Sequence, residues 1–208
     1  MEDVLEVYHR PYDPDRPVIC LDERSKALRS TPRGGLPAGP GSCRREDYEY
    51  ERTGVCNIFL WVEPLAGRRG VQVTDRRTAL DFAEQLRELV DVAYPHAEKI
   101  VLVTDNLNTH SPYALYERYA PAEASRIAQK LEWHYTPEHG SWLNMAEIEL
   151  SALSRQCLCR RMGNPQTVTR EVAVWERERN QAQTTVDWQF TTADARIKLK
   201  RLYPHIVT

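Results

Sequence analysis

Hydrophobic positions along the chain change period several times, and each change marks an element. Val18-Ile19-Cys20-Leu21 is a short unbroken apolar run, the pattern of a buried strand, and Asp22-Glu23 follows directly. Tyr48 to Gly54 alternates aromatic with charged residues, as a strand with one buried face does, and Val55 to Val62 is almost wholly apolar. Gly67-Arg68-Arg69-Gly70 reads as a turn and Val71 to Thr74 alternates again, so this part predicts a hairpin or meander. The period then lengthens. Leu80, Ala83, Leu86, Val90 and Ala93 predict a helix from Thr78 to Tyr94, which Pro95 stops.

Lys99 to Thr104 is a second buried-strand run, closed by Asp105-Asn106-Leu107-Asn108-Thr109-His110. Pro112 to Lys130 has helical spacing broken at Pro121, so two short helices are expected, and Leu131 to Tyr135 alternates as a strand. A helix with Ser141 as its predicted N-cap carries Glu147 and Glu149 and runs to about Met162, where Gly163-Asn164-Pro165 ends it. Further helices are expected over Gln166–Asn180 and Thr192–Leu202, with Asp187–Phe190 extended between them. Ser30 to Ser42 is loop by its Pro and Gly content. Residues 1–17, polar and punctuated by Pro11, Pro14 and Pro17, suggest an entry arm ahead of a domain spanning 18–208. Strands first, then alternating helix and strand, then helices: the chain predicts an α/β domain built around one mixed sheet.

Composition narrows function only slightly. With 208 residues, 41% apolar and 28% charged, the chain suits one globular domain with a sizeable core. A formal charge of −2 argues against a tight grip on DNA by this chain alone, because phosphate contacts draw on Lys and Arg. Basic residues gather at Arg44-Arg45, Arg68-Arg69, Arg76-Arg77, Arg160-Arg161 and Lys198–Arg201, and each group reads as well as a solvated face as a phosphate contact. The five cysteines are odd in number and lack CxxC spacing, which points to structural thiols in a reducing cytoplasm. No apolar run is long enough to span a bilayer, and the N-terminus is no signal peptide. His134 and His139 lack a third zinc ligand at suitable spacing.

The acids say more. Asp22 and Asp105 each follow a buried-strand run, and Glu147 and Glu149 lie on a helix far along the chain. Carboxylates delivered to one sheet edge suit hard divalent cations, which take oxygen ligands and need negative charge. Helical geometry does not choose between the two glutamates, because they flank the apolar stripe of Leu143, Ala146, Leu150 and Leu153 on either side. Trp142, beside this helix, suits packing under it or stacking on a base.

Three motifs carry a resemblance: Leu21-Asp22-Glu23, Asp105 to His110, and His139-Gly140-Ser141-Trp142-Leu143-Asn144-Met145-Ala146-Glu147. Asp47 to Arg52 and Trp188 to Lys200 extend it over nearly the whole chain. The sequence resembles the DDE superfamily of transposases, in particular the bacterial insertion-sequence branch related to mariner elements. The resemblance implies a ribonuclease-H-like fold and the acids Asp22, Asp105 and Glu147, with Glu149 a solvated neighbour. It further implies two Mg²⁺ (or Mn²⁺) ions, DNA cleavage and strand transfer at element ends and target DNA, and a homodimer in the active complex. Asn106, His110 and Asn144 become candidate supporting residues. Relatives are expected to carry a basic residue where Glu138 stands, and helix-turn-helix modules ahead of the acidic domain, for which the residues before Asp22 leave too little length. A nuclease that only hydrolyses, and an inactive DNA-contact or dimerisation remnant, are the rival readings.

Overall fold

The computed structural model describes residues 1–32, 39–43, 48–138 and 140–203. Its axis is β1 (Val18–Ser30), flanked by β2 (Glu51–Glu63) and then β3 (Arg68–Thr74) on one side, and by β4 (Ile100–Thr104) and then β5 (Leu131–Tyr135) on the other. β1, β2 and β3 run antiparallel, whereas β4 lies parallel to β1 and β5 parallel to β4. The mixed sheet is therefore built as the alternating apolar runs predict.

Helices cover both faces, and the alternation of each strand sorts its residues between two cores. Cys20, Ile58, Leu60, Val101 and Val103 face α1 (Glu2–Tyr8), α5 (Met145–Gln156) and α6 (Pro165–Gln181), with α7 (Thr192–Lys198) at the margin. Ile19, Leu21, Phe59, Ile100 and Leu102 face α2 (Ala79–Glu88), its π-helical extension Leu89–Ala93, α3 (Tyr113–Arg118) and α4 (Pro121–Lys130). Pro121 opens α4 at its first turn, where a missing N–H costs nothing, so the break between two short helices falls where expected.

Several elements differ from the sequence reading, β3 among them, since it begins at Arg68 within the stretch read as a turn. β1 does not stop at Leu21; it runs on through Asp22-Glu23 to Ser30, because β2 supplies partners from Cys20 to Ser30 while β4 pairs only with Val18 to Cys20. Asp22 is thus mid-strand, at the point where the parallel neighbour gives out. β2 is one strand of 13 residues rather than two pieces. Residues 1–17 are more than an arm: Val4, Leu5, Val7 and Tyr8 of α1 are buried, a helical stripe hidden by the polar residues around it. Helix α5 ends at Gln156 rather than near Met162, and in α2 the buried apolar positions are Phe82, Ala83 and Leu86, leaving Leu80 exposed.

Candidate active site

The register of β1 and β4 pairs Cys20 with Val103, both in the core beneath α5. Two residues beyond that last pair come Asp22, still within β1, and Asp105, the first residue after β4. α5 begins above this face: Asn144 caps it, its Oδ1 accepting from Ala146 N at 3.1 Å, and Glu147 lies in the first turn. The N-cap is Asn144 rather than Ser141, which opens a 3-10 turn before the helix. The Asn144 side-chain amide also donates to Leu21 O at 2.9 Å and approaches Asp22 Oδ2 at 3.5 Å, so one buried residue ties the helix start to the strand that carries the first acid. From α1, the Tyr8 hydroxyl donates to Leu143 O at 2.6 Å and fixes the same corner.

Each acid has distinct surroundings. Asp22 is buried, and its Oδ1 accepts from Glu23 N at 2.7 Å. Burial, and then the nearby charges of Glu147 and Asp105, push its pKa up to about 7 despite that bond. Asp105 shares Oδ1 with His110 Nδ1 and, at 3.4 Å, with Leu107 N. Glu147 Oε2 accepts from Arg24 Nη2 at 3.1 Å.

His110 is buried, stacked on Phe82 with ring centroids 4.3 Å apart, and its Nε2 lies 3.0 Å from Glu23 Oε2. Burial opposes its charge, but hydrogen bonds to Asp105 and Glu23 outweigh that and lift its pKa to about 9. His110 is therefore an imidazolium between two carboxylates. That makes it a holder of Asp105, beyond loop capping. Asn106 is exposed and lines, with Asp105, Thr136 and Ser141, an open cleft of about 430 Å³.

Asp22 lies near enough to Glu147 and Asp105 to feel the charge of both. Among the described residues no three His, Cys, Asp or Glu side chains are drawn together as a ready metal clutch. Asp105 turns to His110 and Glu147 to Arg24 instead. The donor chemistry nevertheless fits hard cations: three carboxylates, one of them buried with its charge undercompensated.

Sequence reasoning missed three residues. Glu23 faces away from Asp22 and supports His110, a role legible only once β1 is known to continue. Arg24 stands on the Asp22 side of the strand, in a cluster too small to attract notice. Glu149 is buried between Arg69 and Arg179, not solvated. Trp142 is 43% exposed and packs sideways against Trp188 and Phe190 rather than under the helix. His134 bonds Asp3 and Glu132, tying β5 to α1. His139, Asp47 and Arg44-Arg45 lie outside the described residues. The remaining basic groups are largely engaged within the protein: Arg69 is buried, Arg160 pairs with Glu171, and Arg161 donates to Tyr48 O and Glu49 O.

Residues 17–169 match a family whose description is DDE superfamily endonuclease. No curated protein sequence matches the chain significantly. Among solved structures it is similar to the Mos1 mariner paired-end complex with Mn, at 15% identity and a TM-score of 0.51, covering 87% of this chain and 55% of that one. It is also similar to the Mos1 strand transfer complex, at 15% identity and a TM-score of 0.50, covering 86% of this chain and 51% of that one. At these identities the likeness is one of fold, the ribonuclease-H-like arrangement that the motifs imply. The chain spans about half the length of the solved structures it matches.

Proposed function

Because this chain belongs to the DDE superfamily of endonucleases, we propose that it is the metal-dependent DNA-cleaving and strand-transferring domain of a transposase. What supports the reading is that Asp22, just past the last β1–β4 pair, carries a buried carboxyl that feels the charges of Asp105, the residue after β4, and of Glu147 in the first turn of α5. Asp22, Asp105 and Glu147 would hold Mg²⁺ or Mn²⁺, two ions in all, which when bound activate an attacking oxygen and stabilise the leaving one.

The rest is the work of the protein's own groups. Asn144 and Glu23 N hold the Asp22 carboxylate at the end of the dry core, where its charge is undercompensated and a cation is most favoured. His110, kept protonated by Asp105 and Glu23, fixes the second acid from beneath. The cleft beside Asp105 and Asn106 leaves room for a sugar-phosphate backbone. Its DNA substrates are element ends and target DNA, its active complex a homodimer, and its compartment the cytoplasm, consistent with cysteines that are all free.

Incubation with Mn²⁺, pre-cut element-end duplexes and a supercoiled plasmid tests this. Joined product is expected from the unmodified chain, and none from Asp105→Asn that circular dichroism shows to be folded. Nicking without joining would indicate hydrolysis alone. Undiminished nicking by Asp105→Asn would remove the site assignment.

A further inference from the structure

Among the described residues, Arg24 is the cation that touches an assigned acid from the solvent side. Its Nη2 donates to Glu147 Oε2 at 3.1 Å and its Nη1 donates to Ser154 Oγ at 3.0 Å, so both ends of the guanidinium rest on α5. It lies two residues beyond Asp22 and so on the same face of β1. The Arg24 and Glu147 side chains remain 39% and 37% exposed. An ion pair that water reaches contributes only about 0–1 kcal/mol and exchanges readily. His110, by contrast, is sealed under Phe82 and cannot leave Asp105 without opening the core.

Resting on the reading of Asp22, Asp105 and Glu147 as ligands of divalent cations, we propose that Arg24 is a displaceable counter-ion of the site. In the metal-free protein it occupies Glu147, and when that carboxylate is taken by a divalent cation it transfers to a phosphodiester of the bound DNA. Two physical facts favour the transfer. A guanidinium beside a newly bound divalent cation loses its carboxylate partner and gains a repulsive neighbour. Its planar fork of donors matches phosphate oxygens as well as it matches a carboxylate, and its long stem keeps the head in reach of a substrate at the same acids. Arg24 thus competes with the metal and cooperates with the DNA. The two roles have opposite signs.

Calorimetric titration of Mn²⁺, and binding of a short duplex in Ca²⁺ across a salt series, would be measured on the unmodified chain, Arg24→Gln and Arg24→Lys. Circular dichroism melting checks that each variant is folded. Arg24→Gln is expected to bind Mn²⁺ about 3- to 10-fold more tightly, and duplex about 3- to 10-fold more weakly with a salt slope smaller by about one. Arg24→Lys, charged but without the fork, should fall between the two in both measurements. Unchanged or weaker Mn²⁺ binding in Arg24→Gln would make Arg24 a mere prop for Glu147 and overturn the inference alone. Absence of duplex binding by the unmodified chain, or an unaltered affinity and slope in Arg24→Gln, would overturn the phosphate role. Failure of the unmodified chain to bind Mn²⁺ at all would remove the metal-site reading and this inference with it.

Discussion

Glu147 and Glu149 leave the same helix two residues apart and finish in opposite surroundings. That spacing turns a side chain more than half way round an α-helix. Glu147 emerges at the sheet end with one half-exposed arginine for company. Glu149 enters the core, 1% exposed, with Arg179 donating to both its oxygens at 2.7 and 3.0 Å and Arg69 Nε 3.2 Å away. Asn180 completes this second region by bonding the Arg69 backbone on both sides, at 2.9 and 2.8 Å. One carboxylate is left underpaired and wet, the condition for exchanging partners. The other is fully paired and dry, which fixes β3, α5 and α6 to one another, and the two differ by what surrounds them rather than by residue type.

The largest expected effect breaks the first region without the second. Glu147→Gln should reduce Mn²⁺-dependent cleavage by on the order of a thousandfold, about 4 kcal/mol in the barrier, while thermal melting shows little change because only an exposed pair is lost. Glu149→Gln should do the reverse: it leaves Arg69 buried beside a neutral group, a cost of roughly 3–5 kcal/mol, visible as a lower urea midpoint. Cleavage measured well below the melting temperature should fall far less. Equal destabilisation by the two substitutions would mean that the contrast between wet and dry carboxylates has no energetic content.

The next effect separates Asp22 from His110, the two groups at the sheet end whose pKa values are raised for different reasons. Asp22 has its pKa raised from 3.8 to about 7, so between those values the folded protein binds more protons than the unfolded chain. Its contribution to stability is full below pH 3.8 and is lost as pH rises through 7, a change of a few kcal/mol at most. His110, raised from 6.5 to about 9, has the same sign in the higher window: stability present below 6.5 and lost through 9. Urea denaturation in chelator should therefore show stability falling from about pH 4 to beyond 9. Asp22→Asn should flatten the lower part and leave the decline above 6.5. A variant that retained the full slope between about pH 4 and 7 would show that Asp22 is not the strained group.

How far the sequence could be read follows from the same physics. Buried strands announce themselves by apolar runs, so β4, β5 and the apolar halves of β1 and β2 were legible, and with them the places of Asp22 and Asp105 just past the apolar runs. The outer half of β1 was not, because Glu23, Arg24 and Lys26 lie where β4 no longer pairs and the strand is free to be polar on both faces. α1 was hidden because seven residues offer too few turns for periodicity to stand out. Burial of Glu149 could not be seen at all: its partners lie on β3 and α6, and a glutamate beside an apolar stripe looks the same whether water or arginine awaits it. Resemblance, not geometry, distinguished Glu147 from its neighbour.

Asn144 stands between the two regions, and its substitution should have the smallest effect. Its Oδ1 caps α5, and its amide holds Leu21 O and approaches Asp22. Asn144→Ser keeps a capping oxygen but removes the amide donor, so Leu21 O loses that buried bond, at a cost of about 1–2 kcal/mol. Asn144→Ala removes the cap as well and should cost about 1 kcal/mol more. The informative measurement is Mn²⁺ affinity. If the amide aligns the acid-bearing strand with the acid-bearing helix, both variants should lose the same affinity, because both lose the same donor, while their melting temperatures differ. If Asn144→Ser instead preserved affinity and only Asn144→Ala lost it, the cap alone would position Glu147, and the tie between β1 and α5 would be packing without a part in the site.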